Sequence, residues 1–318
     1  MTETSPLILQ ADASGIATAA ALLTKGALVA FPTETVYGLG ADARDGGAVA
    51  AIYAAKERPS FNPLIVHVPD VATARRYVAW PETADILAQA FWPGPLTLVL
   101  PLLPDHSLSS LVTAGLPTLA VRVPAQASAK ALLEAFGGPV AAPSANPSGR
   151  ISPTSADHVL QGLGGRVAAI VDDGPCSVGV ESTIIGLDPD PVLLRAGGLP
   201  SEAIEAALGG PLHTMASPAE NEQVTAPGQL VSHYAPAATL RMNAQTARAG
   251  EVLLGFGPMT CDLNLSETGD LHEAAANLFD CLHQLDRLQR PIAVSPIPTH
   301  GLGRAINDRL ARAAAPRP

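Results

Sequence analysis

The chain has 318 residues, 47% of them hydrophobic and 15% charged, and a net charge of −10. That composition excludes a disordered chain and supplies core for about two domains. The acidic balance argues against a surface that holds tRNA or DNA, which needs Lys and Arg against the phosphates, but leaves room for a local cationic pocket.

Cys176, Cys261 and Cys281 are far apart and form no CxxC pair, which argues against a zinc site or a disulfide framework. In chain order, the first fifteen residues lack a basic stretch followed by an apolar core, so they do not read as a signal peptide. No uncharged apolar run reaches the roughly 18 residues that span a bilayer. A cytoplasmic protein without membrane contact is expected.

From Leu7 to about Leu208, short apolar runs alternate with helical patterns. Strands are expected at Ala27–Phe31, Pro63–Val68, Leu96–Leu100, Thr118–Val123, Pro139–Ala142, Val167–Val171, Ser182–Leu187 and Val192–Leu194. Helices are expected at Ala13–Thr24, Gly47–Lys56, Pro81–Ala90, Ala127–Phe136, Ser155–Leu163 and Ser201–Leu208. Capping signals are Asp12 or Ser14, Thr154, and Pro200-Ser201. Several strands are apolar on both faces and the alternation is imperfect. The expected fold is therefore α/β, with a mixed twisted sheet and flanking helices.

Periodicity fades after His213, and Met215–Gln223 is small and polar. Residues 1–212 are expected to form a larger α/β domain, 213–238 a linker or lid loop, and 239–318 a small C-terminal α/β domain. The last has strands at Glu251–Gly255 and Ile292–Val294 and helices at Leu271–Leu288 and Gly301–Ala314. It carries no cluster of catalytic residue types, so a structural or lid-positioning role is expected of it.

The familiar nucleotide and hydrolase motifs are absent: there is no G-x-x-x-x-G-K-[ST], no G-x-G-x-x-G, no H-E-x-x-H and no G-x-S-x-G. Polar residues gather instead at strand ends. Thr33, Glu34, Thr35 and Tyr37 follow one apolar run; Lys56, Arg58, Asn62 and His67 surround another. Lys56 and Arg58 suit either the C-terminal dipole of their helix or a phosphate clamp. His67 suits a core position as well as a site. Ser144 and Asn146 fit a turn cap or a phosphate contact. Arg122 and Arg195 end apolar strands and need anionic partners, either a structural carboxylate or, beside Lys56 and Arg58, a polyanionic ligand. Glu181, Ser182 and Thr183 open a strand with small hydroxyls. Asp172-Asp173-Gly174 fits a plain turn better than a Mg²⁺ site.

Together these segments resemble the threonylcarbamoyl-AMP synthase family in its long form, a YrdC-type domain followed by a smaller C-terminal domain. The resemblance is carried by FPTETVYGLGA, KERPSFNPLIVHV, WPGPLTLVL, VTAGLPTLAVRVP, AAPSANPSGRISPT, GVESTIIGL and LLRAGG, in that order along the chain. It implies formation of threonylcarbamoyl-adenylate and pyrophosphate from ATP, L-threonine and bicarbonate, with Mg²⁺ accompanying ATP. Downstream transferase proteins would then modify tRNA, without stable nucleic-acid binding by this chain.

Carried over by motif, Lys56, Arg58, Asn62, Thr113, Ser144, Asn146, Ser152, Arg195, His233 and Tyr234 fall at ATP positions, with Lys56 and Arg58 the catalytic pair. Thr33, His67, Arg122 and Ser182 fall at threonine positions, Arg122 suiting the carboxylate. The loop APGQLVSHYAP, residues 226–236, keeps the family's PG and HYAP but loses a methionine, a tyrosine and two basic residues between them, which bears on any lid role of Gln229–Ser232. Two other readings are a carbamoyl-adenylate enzyme of the hydrogenase-maturation type, for which the cysteines are missing, and an RNA-binding module, which the charge disfavours.

Overall fold

The computed structural model describes residues 5–214, 226, 228 and 232–316. Its larger sheet has eleven strands: β1 (Leu7–Gln10), β2 (Val29–Phe31), β3 (Gly38–Asp42), β4 (Ile65–His67), β5 (Leu96–Pro101), β6 (Thr118–Arg122), β7 (Val140–Ala141), β8 (Ala169–Asp172), β9 (Thr183–Leu187), β10 (Pro191–Arg195) and β11 (His213–Thr214). Their order is β1-β8-β2-β3-β7-β4-β6-β5-β9-β10-β11. Parallel and antiparallel pairs are mixed: β4 runs parallel to β6, while β2 runs antiparallel to β3. All eight expected strands are present, and the sheet is mixed as its imperfect alternation predicts.

The missed β3 reads GLGAD, and glycine is depleted in strands. Here it is required by close approach, because a Cβ on Gly40 would meet Phe31 Cε1 at 2.9 Å and the Val29 carbonyl at 3.1 Å. The other two missed strands, β1 and the two-residue β11, lie at opposite edges of the sheet, and Leu7 and Ile8 of β1 are exposed.

Helices Ala13–Thr24, Ala127–Phe136 and Ser201–Leu208 start and stop where the sequence places them. Asp12 caps the first, accepting from the Gly15 N–H at 2.8 Å. Two expected caps are corrected. Ser155, not Thr154, accepts from the His158 N–H at 3.3 Å, and Thr154 turns its hydroxyl to His158 Nδ1 instead. Pro200 opens helix Ser201–Leu208 with no side-chain cap.

The smaller sheet is wholly parallel, with strands β12 (Leu240–Arg241), β13 (Val252–Gly255), β14 (Leu263–Asn264) and β15 (Ile292–Val294) in the order β12-β15-β13-β14. Helices Leu271–Asp286 and Gly303–Ala314 accompany it. Its apolar core is continuous with the larger unit: Val36, Ile151 and Val180 cluster with Leu278, Phe279, Leu282 and Ile306. The segment Met215–Gln223 lies outside the described residues, as do Gln229, Leu230 and Val231 of the expected lid. Among the described residues no helix is long and apolar enough to cross a membrane.

Candidate active site

The site forms over one face of the large sheet. His67 and Arg122 are register partners on the parallel pair β4 and β6, so their side chains project to the same side. Ala142 and Ser144 continue from β7, with Ser144 bridged to Gly38 at the start of β3. A β-bulge between Leu193 and Arg195 breaks the β9–β10 register, the kind of irregularity that re-aims a side chain at a sheet edge. Arg195 is thereby brought over Ser182, donating from Nε and Nη2 to the Ser182 carbonyl at 3.1 and 2.8 Å.

Lys56 is the last residue of helix Gly46–Lys56, which Glu57 ends in the left-handed conformation at φ 53°. Its side chain is buried, and Nζ donates to the main-chain carbonyls of Ser144, at 2.5 Å, and Asn146. The helix-dipole reading fails for Lys56, since its ammonium reaches across to the turn after β7. Arg58 is also buried and donates to the carbonyls of Asn62 and Pro63 at 3.4 and 3.0 Å. Among the described residues neither cation meets a carboxylate. Burial, and then Arg58, hold the Lys56 ammonium well below its ordinary pKa; burial lowers Arg58 to about 10.

Arg122 by contrast has a structural partner. Nη2 donates to Glu34 Oε1 at 2.6 Å, Nη1 to the Thr35 hydroxyl at 2.9 Å and Nε to the Gly94 carbonyl at 3.2 Å. Each Nη keeps one further N–H. Glu34 Oε2 accepts the Ala125 N–H at 3.0 Å. Thr33 shares a hydrogen bond with Thr35 at 2.8 Å, and Ser182 with Thr97 at 2.7 Å. Burial, and then Arg122, lower His67 to about 3, so its ring is neutral.

Over this face lie His233 and Tyr234. Tyr234 is buried with φ 60°, and a Cβ on Gly228, itself at φ 87°, would meet Tyr234 Oη at 2.7 Å. Glycine is therefore required where the loop passes the ring. Burial, followed by the surrounding cations with Arg58 first, holds His233 well below its ordinary pKa and neutral.

Beneath the loop a cavity of about 50 Å³ is lined by all four expected threonine positions, Thr33, His67, Arg122 and Ser182. Arg58, Ser144, Arg195, His233 and Tyr234 line it too. Lys56 and Asn146 sit just behind Ser144. Ser152 stands behind Glu181, donating to its Oε1 at 2.5 Å. Thr113 does not line the cavity; its hydroxyl donates to the Ser110 carbonyl within its own short helix at 3.3 Å. Asn146 satisfies the turn-cap reading through Nδ2, which donates to the Pro147 and Arg150 carbonyls at 3.0 and 2.8 Å. Asp172 closes a plain turn, accepting from the Gly174 N–H at 3.0 Å.

Six of the nine buried side-chain polar atoms without a hydrogen-bond partner among the described residues belong to expected site residues: both amide atoms of Asn62, Asn146 Oδ1, His67 Nδ1, His233 Nδ1 and the Tyr234 hydroxyl. Such atoms are rare in folded proteins; those of His67, His233 and Tyr234 belong to residues that line the cavity, which marks it as built for a polar ligand.

Sequence reasoning left Glu181 without a role and missed Arg309. Arg309 lies on helix Gly303–Ala314, is fully buried, and donates to Glu181 Oε2 at 2.7 Å. No local pattern signals it, because its partner is 128 residues away in sequence.

A mixed α/β fold with buried cations and unpaired polar groups around a partly covered cavity suits an enzyme class that handles a small anionic substrate. The chain belongs to the threonylcarbamoyl-AMP synthase family. A family model described as telomere recombination matches residues 21–197, and one described as the threonylcarbamoyl-AMP synthase C-terminal domain matches residues 199–315. The threonylcarbamoyl-AMP synthase of Bacillus subtilis is 44% identical, covering 95% of this chain and 93% of its own. That of Pyrococcus abyssi is 40% identical, covering 94% of each. The crystal structure of P. abyssi Sua5 complexed with L-threonine matches with a TM-score of 0.90 at 39% identity and covers 98% of each chain. HypF in its phosphate- and nucleotide-bound form shares the fold alone, with a TM-score of 0.53 at 20% identity over 58% of this chain.

Proposed function

We propose that this chain is an L-threonylcarbamoyladenylate synthase, which makes threonylcarbamoyl-AMP and pyrophosphate from ATP, L-threonine and bicarbonate. The observation that carries the assignment of the nucleotide is the pair Lys56 and Arg58, two buried cations that meet only main-chain carbonyls among the described residues. Burying an unpaired charge costs several kcal/mol, and a polyphosphate is the ligand that offsets the cost for both at once.

In this reading the threonine amine attacks bicarbonate, or CO₂ derived from it, and water leaves. The carbamate oxygen then attacks the α-phosphorus of ATP in line, and pyrophosphate departs. The protein needs no nucleophile for this; it supplies position, charge and dryness. Arg58, with Lys56 behind it, balances charge developing on the phosphates. Thr33, Ser182 and the free N–H groups of Arg122 hold threonine, Arg122 facing its carboxylate while Glu34 fixes the guanidinium plane. Neutral His67 offers Nδ1 to the substrate. His233 and Tyr234 cover the nucleotide and keep water from the labile carbamate.

Mg²⁺ would ride on the ATP phosphates and neutralise them, as it does where substrate oxygens supply most of its ligands. The donor set suits that arrangement: Glu181, which lines the cavity, and Glu34, which pairs with the lining Arg122, are already engaged by arginines. The product would pass to transferase proteins that modify tRNA in the cytoplasm, with residues 1–212 as the catalytic domain, 213–238 as the lid and 239–318 as the C-terminal domain.

Pyrophosphate release from ATP, measured with threonine and bicarbonate omitted in turn, tests the assignment. Release that needs both is expected; release indifferent to threonine overturns it.

A further inference from the structure

Glu181 presents a problem for a pocket that takes ATP. Glu181 lines the cavity, and a bare negative charge there repels a polyphosphate, the more so where water is excluded. The neutralising charge comes from the other unit of the protein. Arg309 Nε donates to Glu181 Oε2 at 2.7 Å, with side-chain exposures of 0% and 8%. The same guanidinium stands 5.0 Å from the centre of the Tyr234 ring, within cation–π range. Burial works against the charge, but Tyr234, Glu181 and Asp308 more than offset it and hold the Arg309 pKa above its ordinary value. One turn further along the helix, the Arg312 carbonyl accepts the His233 N–H at 3.3 Å.

We infer that Arg309 is a positioning residue of the nucleotide pocket, supplied by the C-terminal helix: it cancels the Glu181 charge from behind and backs the Tyr234 ring of the lid. The inference rests on the reading that the pocket takes ATP. A plain interface staple would make the same ion pair, but it would have no reason to sit between a cavity-lining carboxylate and the lid aromatic. Two consequences separate the roles. Losing Arg309 leaves Glu181 charged toward the phosphates, so ATP binding suffers more than threonine binding. Neutralising Glu181 in the same chain then relieves the defect, whereas loss of a staple is not relieved by removing its second half.

The test is steady-state pyrophosphate release by the full-length wild type, R309M, R309K, E181Q and the double variant E181Q/R309M, with melting temperatures alongside. The expected result is an ATP KM at least tenfold higher in R309M, with threonine KM within about threefold of wild type, partial recovery in R309K, and an ATP KM in the double variant closer to wild type than that of R309M. An unchanged ATP KM in folded R309M, or a double variant no better than R309M, overturns the inference. Should R309M alone fail to fold, the comparison passes to R309K. A raised ATP KM in R309K that E181Q relieves supports the inference, and an unchanged one overturns it. A wild type whose release ignores threonine instead overturns the reading of the pocket, and this inference falls with it.

Discussion

Lys56 is where a proposed role in catalysis can be separated from a role in folding. Its ammonium is buried against two carbonyls with no carboxylate beside it among the described residues. Replacing it with methionine loses those hydrogen bonds, at about 1–3 kcal/mol for groups left unsatisfied, and removes a buried charge whose desolvation opposes folding by a similar or larger amount. The two effects oppose each other. Lys56→Met is expected to shift the unfolding free energy by no more than about 2 kcal/mol in urea titration. Threonine-dependent pyrophosphate release should fall by roughly 10²–10³, the loss typical of one electrostatic stabiliser. A comparable loss of stability and activity, with a large drop in the urea midpoint, would sink the clamp assignment. Lys56, Arg58, Asn62 and His67 were legible because a lysine-poor, apolar chain concentrates them around one strand. Glu34 and Arg309 were not legible in their roles: each is defined by a partner far away in the chain, and neither a carboxylate after a strand nor an arginine in a closing helix is unusual by itself.

Between elements, a stacked histidine pair joins the two units. His283, on helix Leu271–Asp286, lies 3.9 Å from His158, on helix Ala156–Leu163, with rings 19° from parallel. His283 Nε2 contacts the carbonyl of Ser152 at 3.1 Å, and His158 Nε2 faces Asp280 at 3.4 Å. Burial, and then His158, lower His283 from 6.5 to about 4. The folded protein therefore resists a proton that the unfolded chain accepts. This contribution is complete above the unfolded value of 6.5 and is lost as pH falls from there toward 4, with a slope of about 1.4 kcal/mol per pH unit for one proton. His283→Gln is expected to flatten the acid limb of stability by about one proton's worth, measured by urea titration across that window. An acid limb as steep as that of wild type would show that His283 is not the group responsible. This junction was invisible in sequence, whereas the helices forming it were plain from periodicity. The capping error beside it has a local cause: Thr154 and Ser155 are adjacent hydroxyl residues, and only the backbone decides which one faces the first turn.

For the molecule as a whole, the question is whether the two sheets behave as two bodies. A C-terminal unit of about 80 residues would be marginal alone, and the composition of the connecting segment suggests independence. The packing points the other way. Val36 follows the Thr33–Thr35 turn, Ile151 precedes Ser152 and Val180 precedes Glu181, and all three are buried in the cluster formed by the C-terminal helices. The segments that build the cavity are thus also the apolar contact with the second unit, and Arg309 and His283 lock onto the same segments. Separating the units would expose those side chains at about 25 cal/mol per Å² and leave the Glu181 carboxylate without its arginine. Calorimetry of the full-length protein is therefore expected to show one cooperative transition, with ATP and threonine together raising its midpoint as the mass-action term RT ln(1 + [L]/Kd) requires. Two resolved transitions, with only the first moved by ligand, would mean that the shared cluster does not couple the units and that the C-terminal domain is a passenger of the site.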